Sequence, residues 1–381
     1  MITEQGCLAR RAALWQRLPA TIDTALITAR PHLMYFAGFE ASATVFNSQE
    51  SAAALLLTRQ GEAILVADNV QEPFSRAAFV TERIEPLWYR CVEAAPHRGG
   101  LLIQATAQWL KSHSTSGLAV ERSQVPWGML EELLQRQPGL RLHDLDPELR
   151  VLRRNKHADE QAQIRECLRV AEAAVSAARR EARPGLTGLD LQRLVQRVAG
   201  ETAERAVQVY GDFVSGPGAE AGGGPATNRA LQSGELVLLD YSVVIKGYRG
   251  DFCTTFVCDG TPTPKQREMH AACLAAMDAA ARILLPGRSG REVYAACRAP
   301  LESAGLAQHF PHHAGHGIGL GHPEPPYFVP ESDETLQAGD VVTLEPGLYI
   351  SGVGGMRFEH NFVVTPQGPQ QISHQSLSLE R

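Results

Sequence analysis

The sequence predicts an α/β (α+β) chain of two domains, the second of which is an internal duplication. Three observations lead there. The chain has 381 residues, more than the roughly 250 to 300 at which a single core stops growing. Residues up to about 150 alternate short apolar strands with helical stretches, the pattern of an α/β domain. Beyond them, R-P-G-L-T-G-L-D-L from Arg183 and L-P-G-R-S-G-R-E-V from Leu285 each follow a helical run and precede a hairpin carrying carboxylates.

In the front part, Thr24 to Thr28, Ala53 to Thr58, Ala63 to Ala67 and Leu101 to Gln104 read as strands, and Glu4 to Leu18 and Trp127 to Gln135 as helices. No catalytic constellation stands out among them. His32, His97, His113 and His143 read as solvated surface residues.

From Ala158 to Ala182 the spacing predicts a helix, stopped by Pro184 and Gly185, and Gln266 to Leu285 repeats it, stopped by Pro286 and Gly287. After each stop, Thr187 or Ser289 is placed to cap a second helix, with Asp190 or Glu292 three positions on as in a capping box. The stretch V-S-G-P-G-A-E-A-G-G-G-P-A-T-N-R, from Val214, is too rich in Gly and Pro to be an element.

The segment around Asp240 and Asp251 reads as a hairpin turning near Lys246 and Gly247, so that the two acids face each other across the strands. By the same count Glu345 faces Glu359 in a second hairpin turning near Gly352. Asp240 lies 53 positions after Thr187 and Glu345 lies 56 after Ser289, so the hairpins hold equivalent places in the two copies. Facing carboxylates repel. Four of them, embedded in apolar strands where unpaired charge is costly, call for something positive between them.

The formal net charge of -6 provides no broad basic surface, which argues against nucleic acid as a partner. No apolar run approaches the roughly 18 residues of a membrane span, and the N-terminus lacks the pattern of a secretory leader; a cytoplasmic location is the expectation. Seven cysteines, odd in number and never spaced C-x-x-C, read as buried thiols rather than disulfides or a zinc knuckle.

His316, flanked by glycines in H-H-A-G-H-G-I-G-L-G-H, is a fifth candidate ligand. Two Asp, two Glu and one His make an oxygen-rich set that suits Mn²⁺, Fe²⁺ or Co²⁺ and admits Zn²⁺. Four carboxylates exceed what one catalytic ion needs. Two divalent ions bridged by carboxylates and a water spread that charge, and make the water a nucleophile at neutral pH.

These residues carry a resemblance. D-(x10)-D, G-H-G-I-G-L, T-L-E-P-G-L-Y and G-G-M-R-F-E-H-N resemble the motifs of the M24 metallopeptidase superfamily, which contains prolidase, the Xaa-Pro and methionine aminopeptidases, and creatinase. The front part, with H-L-M-Y-F-A-G-F, is similar to the creatinase/prolidase N-terminal domain, and the likeness covers essentially the whole chain. It implies a creatinase/prolidase-like domain over 1–152 and a pita-bread catalytic domain with pseudo-twofold symmetry over 153–381. It further implies that Asp240, Asp251, His316, Glu345 and Glu359 hold a dinuclear centre, with Asp251 and Glu359 bridging. Mn²⁺ leads the candidate ions. Glu345 would exchange protons with the bridging water, His312 would contact substrate and Arg357 would support the site. The resemblance also implies a homodimer.

The chain departs from that pattern in two places. A Pro-His pair expected 17 residues before the first Asp ligand is replaced, its histidine by Gly223, and a histidine expected seven residues after His316 is replaced by Pro323, with His322 one place earlier. On an extended segment that shift turns the side chain away, so His322 takes over the lost role only if the backbone there is rearranged. Smaller departures are Ser242 for Gly, Gly250 for Ser, and His360 for Asp.

The leading expectation is a hydrolase of the Xaa-Pro peptidase type, cleaving a small peptide or amide bond with a hydroxide that bridges two divalent metals. Two alternatives stay open: C–N hydrolysis or lyase chemistry on a non-peptide substrate by the same centre, or a non-catalytic binding protein.

Overall fold

The computed structural model describes residues 1–40, 53–113 and 115–380. The chain divides into two compact units, Met1–Arg153 and Arg154–Arg381.

In the first unit a six-stranded mixed sheet has the order β4-β3-β2-β1-β5-β6. Its strands are β1 (Thr24–Ile27), β2 (Ala54–Thr58), β3 (Ala63–Val66), β4 (Glu82–Ile84), β5 (Gly117–Val120) and β6 (Arg141–Asp144). The helices are α1 (Glu4–Arg17), α2 (Arg30–Ala37), α3 (Glu72–Ser75), α4 (Arg98–Ser112), α5 (Trp127–Arg136) and α6 (Asp146–Leu152). Leu101 to Gln104, expected as a strand, lies inside α4. Leu102, Thr106, Trp109 and Leu110 are among its buried side chains, a helical spacing that a four-residue apolar window could not display. His32 is not a surface residue: it is buried against Glu121, a fully buried carboxylate that also accepts a 2.8 Å hydrogen bond from the Ala29 amide. His97 and His113 are exposed and His143 is half-buried. Six cysteines are buried as expected, but Cys91 is exposed.

The second unit repeats one plan. Helices α7 (Ala158–Glu181) and α8 (Gly188–Ala203) precede strands β7 (Gln208–Ser215), β8 (Leu236–Ile245) and β9 (Tyr248–Val257), which form a three-stranded antiparallel sheet. Between β7 and β8 the Gly- and Pro-rich stretch is not wholly irregular. Its first two residues finish β7, and Pro217–Glu220 makes a one-turn helix, α9, started by Pro at the first helical position.

Helices α10 (Pro264–Ala281) and α11 (Gly290–Ser303) then precede β10 (Gly315–Gly317), β11 (Glu324–Phe328), β12 (Val341–Leu344), β13 (Gly347–Ile350), β14 (Gly354–Arg357), β15 (His360–Thr365) and β16 (Gly368–Gln371). Five of these strands form a sheet in the order β11-β10-β12-β15-β16, and β13 pairs with β14. Their core includes Met269, Cys273 and Cys297 from the helices and Val342, Leu344 and Phe362 from the sheet.

The duplication extends to its fine geometry. Both capping boxes form, Thr187 with Asp190 and Ser289 with Glu292. Thr187 bridges to Ala230, and Ser289 bridges to Thr335 in the same way. The next residue is glycine each time because the strand backbone runs against it: a Cβ on Gly188 would lie 2.3 Å from the Phe213 carbonyl oxygen, and one on Gly290 2.2 Å from that of Tyr327.

Candidate metal centre

The first hairpin turns where the sequence places it, with Lys246 and Gly247 both at positive φ, as a two-residue turn between right-twisted strands requires. Its register differs from the expectation. Asp240 stands opposite Cys253, and Asp251 opposite Ser242. The two acids are thus diagonal neighbours on one face of the sheet, still within reach of a common ion, because the turn centre lies one residue later than the midpoint of the pair.

In the second hairpin the count holds in a different way. β12 pairs with β15 through Leu344 and His360, β13 pairs with β14 through Gly347 and Arg357, and both ladders share one register. Glu345 and Glu359 occupy facing places in the gap between them. Pro346 interrupts the ladder there because it has no amide hydrogen to donate. Freed from pairing with each other, the Glu345 amide donates to the Ala314 carbonyl at 2.9 Å and the Glu359 amide to the Cys253 carbonyl at 3.1 Å. The second contact ties the two hairpins together.

The acids converge. Asp240, Asp251 and Glu359 each offer a carboxylate oxygen within 4.8 Å of the others, and Asp251, His316 and His322 form a second such group. On β10, His316 uses Nδ1 against the Gly317 carbonyl at 3.0 Å, which assigns the proton to that nitrogen. Its Nε2 then faces Glu345 Oε1 at 3.3 Å and Asp251 Oδ2 at 3.5 Å. A lone pair directed at two carboxylates is a place for a cation.

The other predicted residues line the same cavity of about 620 Å³. Arg357 directs Nε and Nη2 at one oxygen, Asp240 Oδ2, at 2.6 and 2.5 Å, leaving Oδ1 to the centre. Its Nη1 donates to the Tyr349 hydroxyl at 2.6 Å and to the Gly222 carbonyl at 2.9 Å. Tyr349 in turn stands 2.9 Å from Nε2 of His312, whose Nδ1 meets the His313 carbonyl at 2.8 Å. His312 is thereby held by both ring nitrogens in one orientation. His322 reaches Asp251 Oδ2 at 2.6 Å. Residues 321–323 form a bend rather than an extended strand, so the one-place shift does not turn this ring away.

Burial and mutual repulsion set the charges. Burial pushes the Asp240 carboxyl up to about 6, with Arg357 opposing and Asp251 and Glu345 adding to the rise. Burial, then Asp251, Glu345 and Asp240, hold Glu359 well above the usual carboxylate range. Glu345 goes the other way: burial opposes, but the His313 hydrogen bond and the nearby His316, His313 and Arg357 keep it well below that range. Burial lowers His312 to about 4. His313 and His322 are raised, against burial, by Glu345 and Asp251 respectively.

The donor set fits divalent ions. Glu359 is 1% exposed, and among the described residues its Oε1 has no hydrogen-bond partner. A buried carboxylate oxygen among other carboxylates is costly unless a cation meets it.

Several contributors were not legible beforehand. Ser242 donates to Asp251 Oδ1 at 3.2 Å, and Asn361 Nδ2 donates to the Asp251 carbonyl at 2.6 Å. In the sequence Ser242 shows only as a departure from Gly. Its exchange with Gly250 has a steric reason, since a Cβ at 250 would lie 2.8 Å from the Leu168 amide nitrogen on α7. Tyr349 lay within T-L-E-P-G-L-Y, but its hydroxyl link between Arg357 and His312 needs the β13 and β14 pairing to be known. At Gly223 a Cβ would stand 2.0 Å from Asp212 Oδ2, so Asp212 occupies the space a side chain there would need. His360 lies beside Ser373, 3.2 Å from its hydroxyl.

With this geometry the class is defined: the chain belongs to metallopeptidase family M24, whose model matches residues 162–366, and the creatinase/prolidase N-terminal domain model matches residues 11–154. It is a peptidase. Among individual relatives, the uncharacterized peptidase YqhT of Bacillus subtilis is 26% identical over 365 residues, covering 94% of this chain and 95% of that protein. The crystal structure of dipeptidase PepE from Mycobacterium ulcerans is 27% identical with TM-score 0.76, over 99% of this chain and 96% of that one. An Xaa-Pro dipeptidase from Bacillus anthracis shares the fold with TM-score 0.82 at 24% identity, over 99% of each chain.

Proposed function

We propose that this chain hydrolyses a small peptide or amide bond of the Xaa-Pro type at a centre of two divalent ions held by Asp240, Asp251, His316, Glu345 and Glu359. The observation that carries the reading is the convergence of four carboxylates and one imidazole nitrogen around the unpartnered Glu359 Oε1. Ions bound there supply Lewis acidity and lower the pKa of a water.

The chain's own residues do the rest. Glu345, 3.3 Å from His316 Nε2 and lining the cavity, is the group that takes a proton from the attacking water and passes it to the leaving amine. His313, 3.1 Å from its Oε1, steadies that carboxylate. Arg357 fixes Asp240 and, through Tyr349, the His312 ring at the substrate side of the cavity. His322 stands beside Asp251 where it can meet the substrate. The printed names of the relatives, an Xaa-Pro dipeptidase and a dipeptidase among them, support a dipeptide as substrate. Mn²⁺ suits the oxygen-rich donors best, with Co²⁺, Fe²⁺ or Zn²⁺ as alternatives. A homodimer accompanies this reading on family likeness, and the cytoplasm is the location expected from the sequence. Among the described residues no helix is long and apolar enough to cross a membrane.

Gly223 and Pro323, standing where family histidines are expected, favour a second reading, C–N hydrolysis or lyase chemistry on a non-peptide substrate at the same centre. A panel of Xaa-Pro dipeptides set against small N-acyl and guanidino compounds, with Mn²⁺-loaded protein, separates the two. Turnover of dipeptides supports the first; inactivity on all of them with turnover of another amide rejects it.

A further inference from the structure

We propose that Asp212 is a specificity-determining residue that receives a cationic group of the substrate, an ammonium or guanidinium, on the β7 wall of the cavity. This deepens the peptidase reading and rests on it. Asp212 stands directly opposite Asp240 in the antiparallel pair of β7 and β8, so two carboxylates face each other across one rung. Such an opposition is unfavourable unless each acid is compensated. Only one is. Arg357 gives both Nε and Nη2 to Asp240 at 2.6 and 2.5 Å, while Asp212 receives a single contact from the same Nη2 at 3.5 Å, the outer limit of a hydrogen bond. Among the described residues Asp212 has no other polar partner.

Its surroundings keep this carboxylate available rather than buried. The Asp212 side chain is 33% exposed and lines the cavity, as does Glu220. Across from it the chain carries Gly223 at φ +146°, where a Cβ would stand 2.0 Å from Asp212 Oδ2. That backbone conformation and that clearance both require glycine, and together they leave the acid open to the cavity. A partly exposed anion beside a space of about 620 Å³ can pair with an incoming cation without the desolvation penalty of a buried charge.

The cation has two sources, the substrate's α-ammonium or a basic side chain, and paired ligands distinguish them. Wild-type and Asp212→Asn proteins, both Mn²⁺-loaded, would be compared on Lys-Pro against norleucyl-proline, and on Gly-Pro against N-formyl-Gly-Pro. The expected result is a charged-over-neutral preference in one pair that falls about ten- to a hundredfold in the variant, the range of a charge-assisted hydrogen bond. Asp212→Glu should keep the direction of that preference. Equilibrium binding of L-lysine against norleucine, and of glycine against N-formylglycine, measured by calorimetry, gives a readout that needs no turnover. Equal ratios in wild type and variant, in both readouts and both pairs, would overturn the proposal, as would a uniform loss that leaves the ratios intact. Failure of the wild type to cleave any dipeptide would instead reject the peptidase reading, and the binding ratios would then decide the cation site alone.

Discussion

The two hairpins of the duplicated unit occupy equivalent places and hold their acids differently. β8 and β9 form an unbroken ladder, and Asp240 and Asp251 project diagonally from one face of it. The second hairpin splits into two ladders around Pro346, so Glu345 and Glu359 face each other in a gap and send their amides to Ala314 and Cys253. The first half thus supplies a rigid platform. The second supplies two carboxylates released from strand geometry, one of them anchored onto the first half at Cys253. The charges do not follow the halves: burial and neighbouring acids push Asp240 of the first hairpin and Glu359 of the second toward the neutral form, while Glu345 shifts the other way. Repetition preserves the scaffold, and a break in pairing changes how one copy presents its acids.

The sharpest way to break this contrast is Glu345→Gln. The substitution keeps the shape and removes the proton acceptor, and the loss of turnover should be about 10³-fold or more, with folding unchanged by circular dichroism. Activity within a few-fold of wild type would mean that the gap in the second hairpin has no catalytic role.

Metal removal probes the same asymmetry. A carboxylate whose folded pKa is raised contributes stability that is complete below its unfolded value and is lost as pH rises through the folded value. For Asp240 that window runs from its ordinary 3.8 to about 6, and Glu359 acts in the same direction. The melting temperature of metal-free protein should therefore fall behind that of Mn²⁺-loaded protein by a growing margin as pH rises from about 4 to 7. A margin that narrows over this range would contradict the account.

On the first hairpin's side, Gly223→Ala should destabilise by about 1 to 3 kcal/mol, from its backbone conformation and from the approach to Asp212. Adding Asp212→Ala should restore part of that loss, a coupling of about 0.5 kcal/mol or more in a double-mutant cycle by urea denaturation. Strict additivity would show that the two residues do not share the space. The smallest expected effect is that of Ser242→Ala, which removes a donor to Asp251 Oδ1 and should weaken metal affinity about tenfold in a chelator competition.

Much of this was legible in the sequence, because the signals were local. The capping boxes at Thr187 and Ser289, the turn at Lys246 and Gly247, and the equal placement of the acids in both copies depend only on short-range chemistry. What failed needed distance. Whether Leu101 to Gln104 is strand or helix depends on the spacing from Leu102 to Trp109, which the short window omitted. The burial of His32 depends on Glu121, 89 residues away. Within the site, the diagonal placement of Asp240 and Asp251 followed from a one-residue displacement of the turn centre. Asp212 gave no signal, and Tyr349 showed only as part of T-L-E-P-G-L-Y, since what each touches depends on the strand that stands opposite it.

Metal content is the most direct measurement. After loading with Mn²⁺ and removal of excess, elemental analysis should find two ions per chain in the wild type and one or fewer after Glu359→Gln or His316→Ala, each variant still folded. Less than one ion per wild-type chain, or an unchanged count in both variants, would contradict the convergence of these five residues on a metal pair.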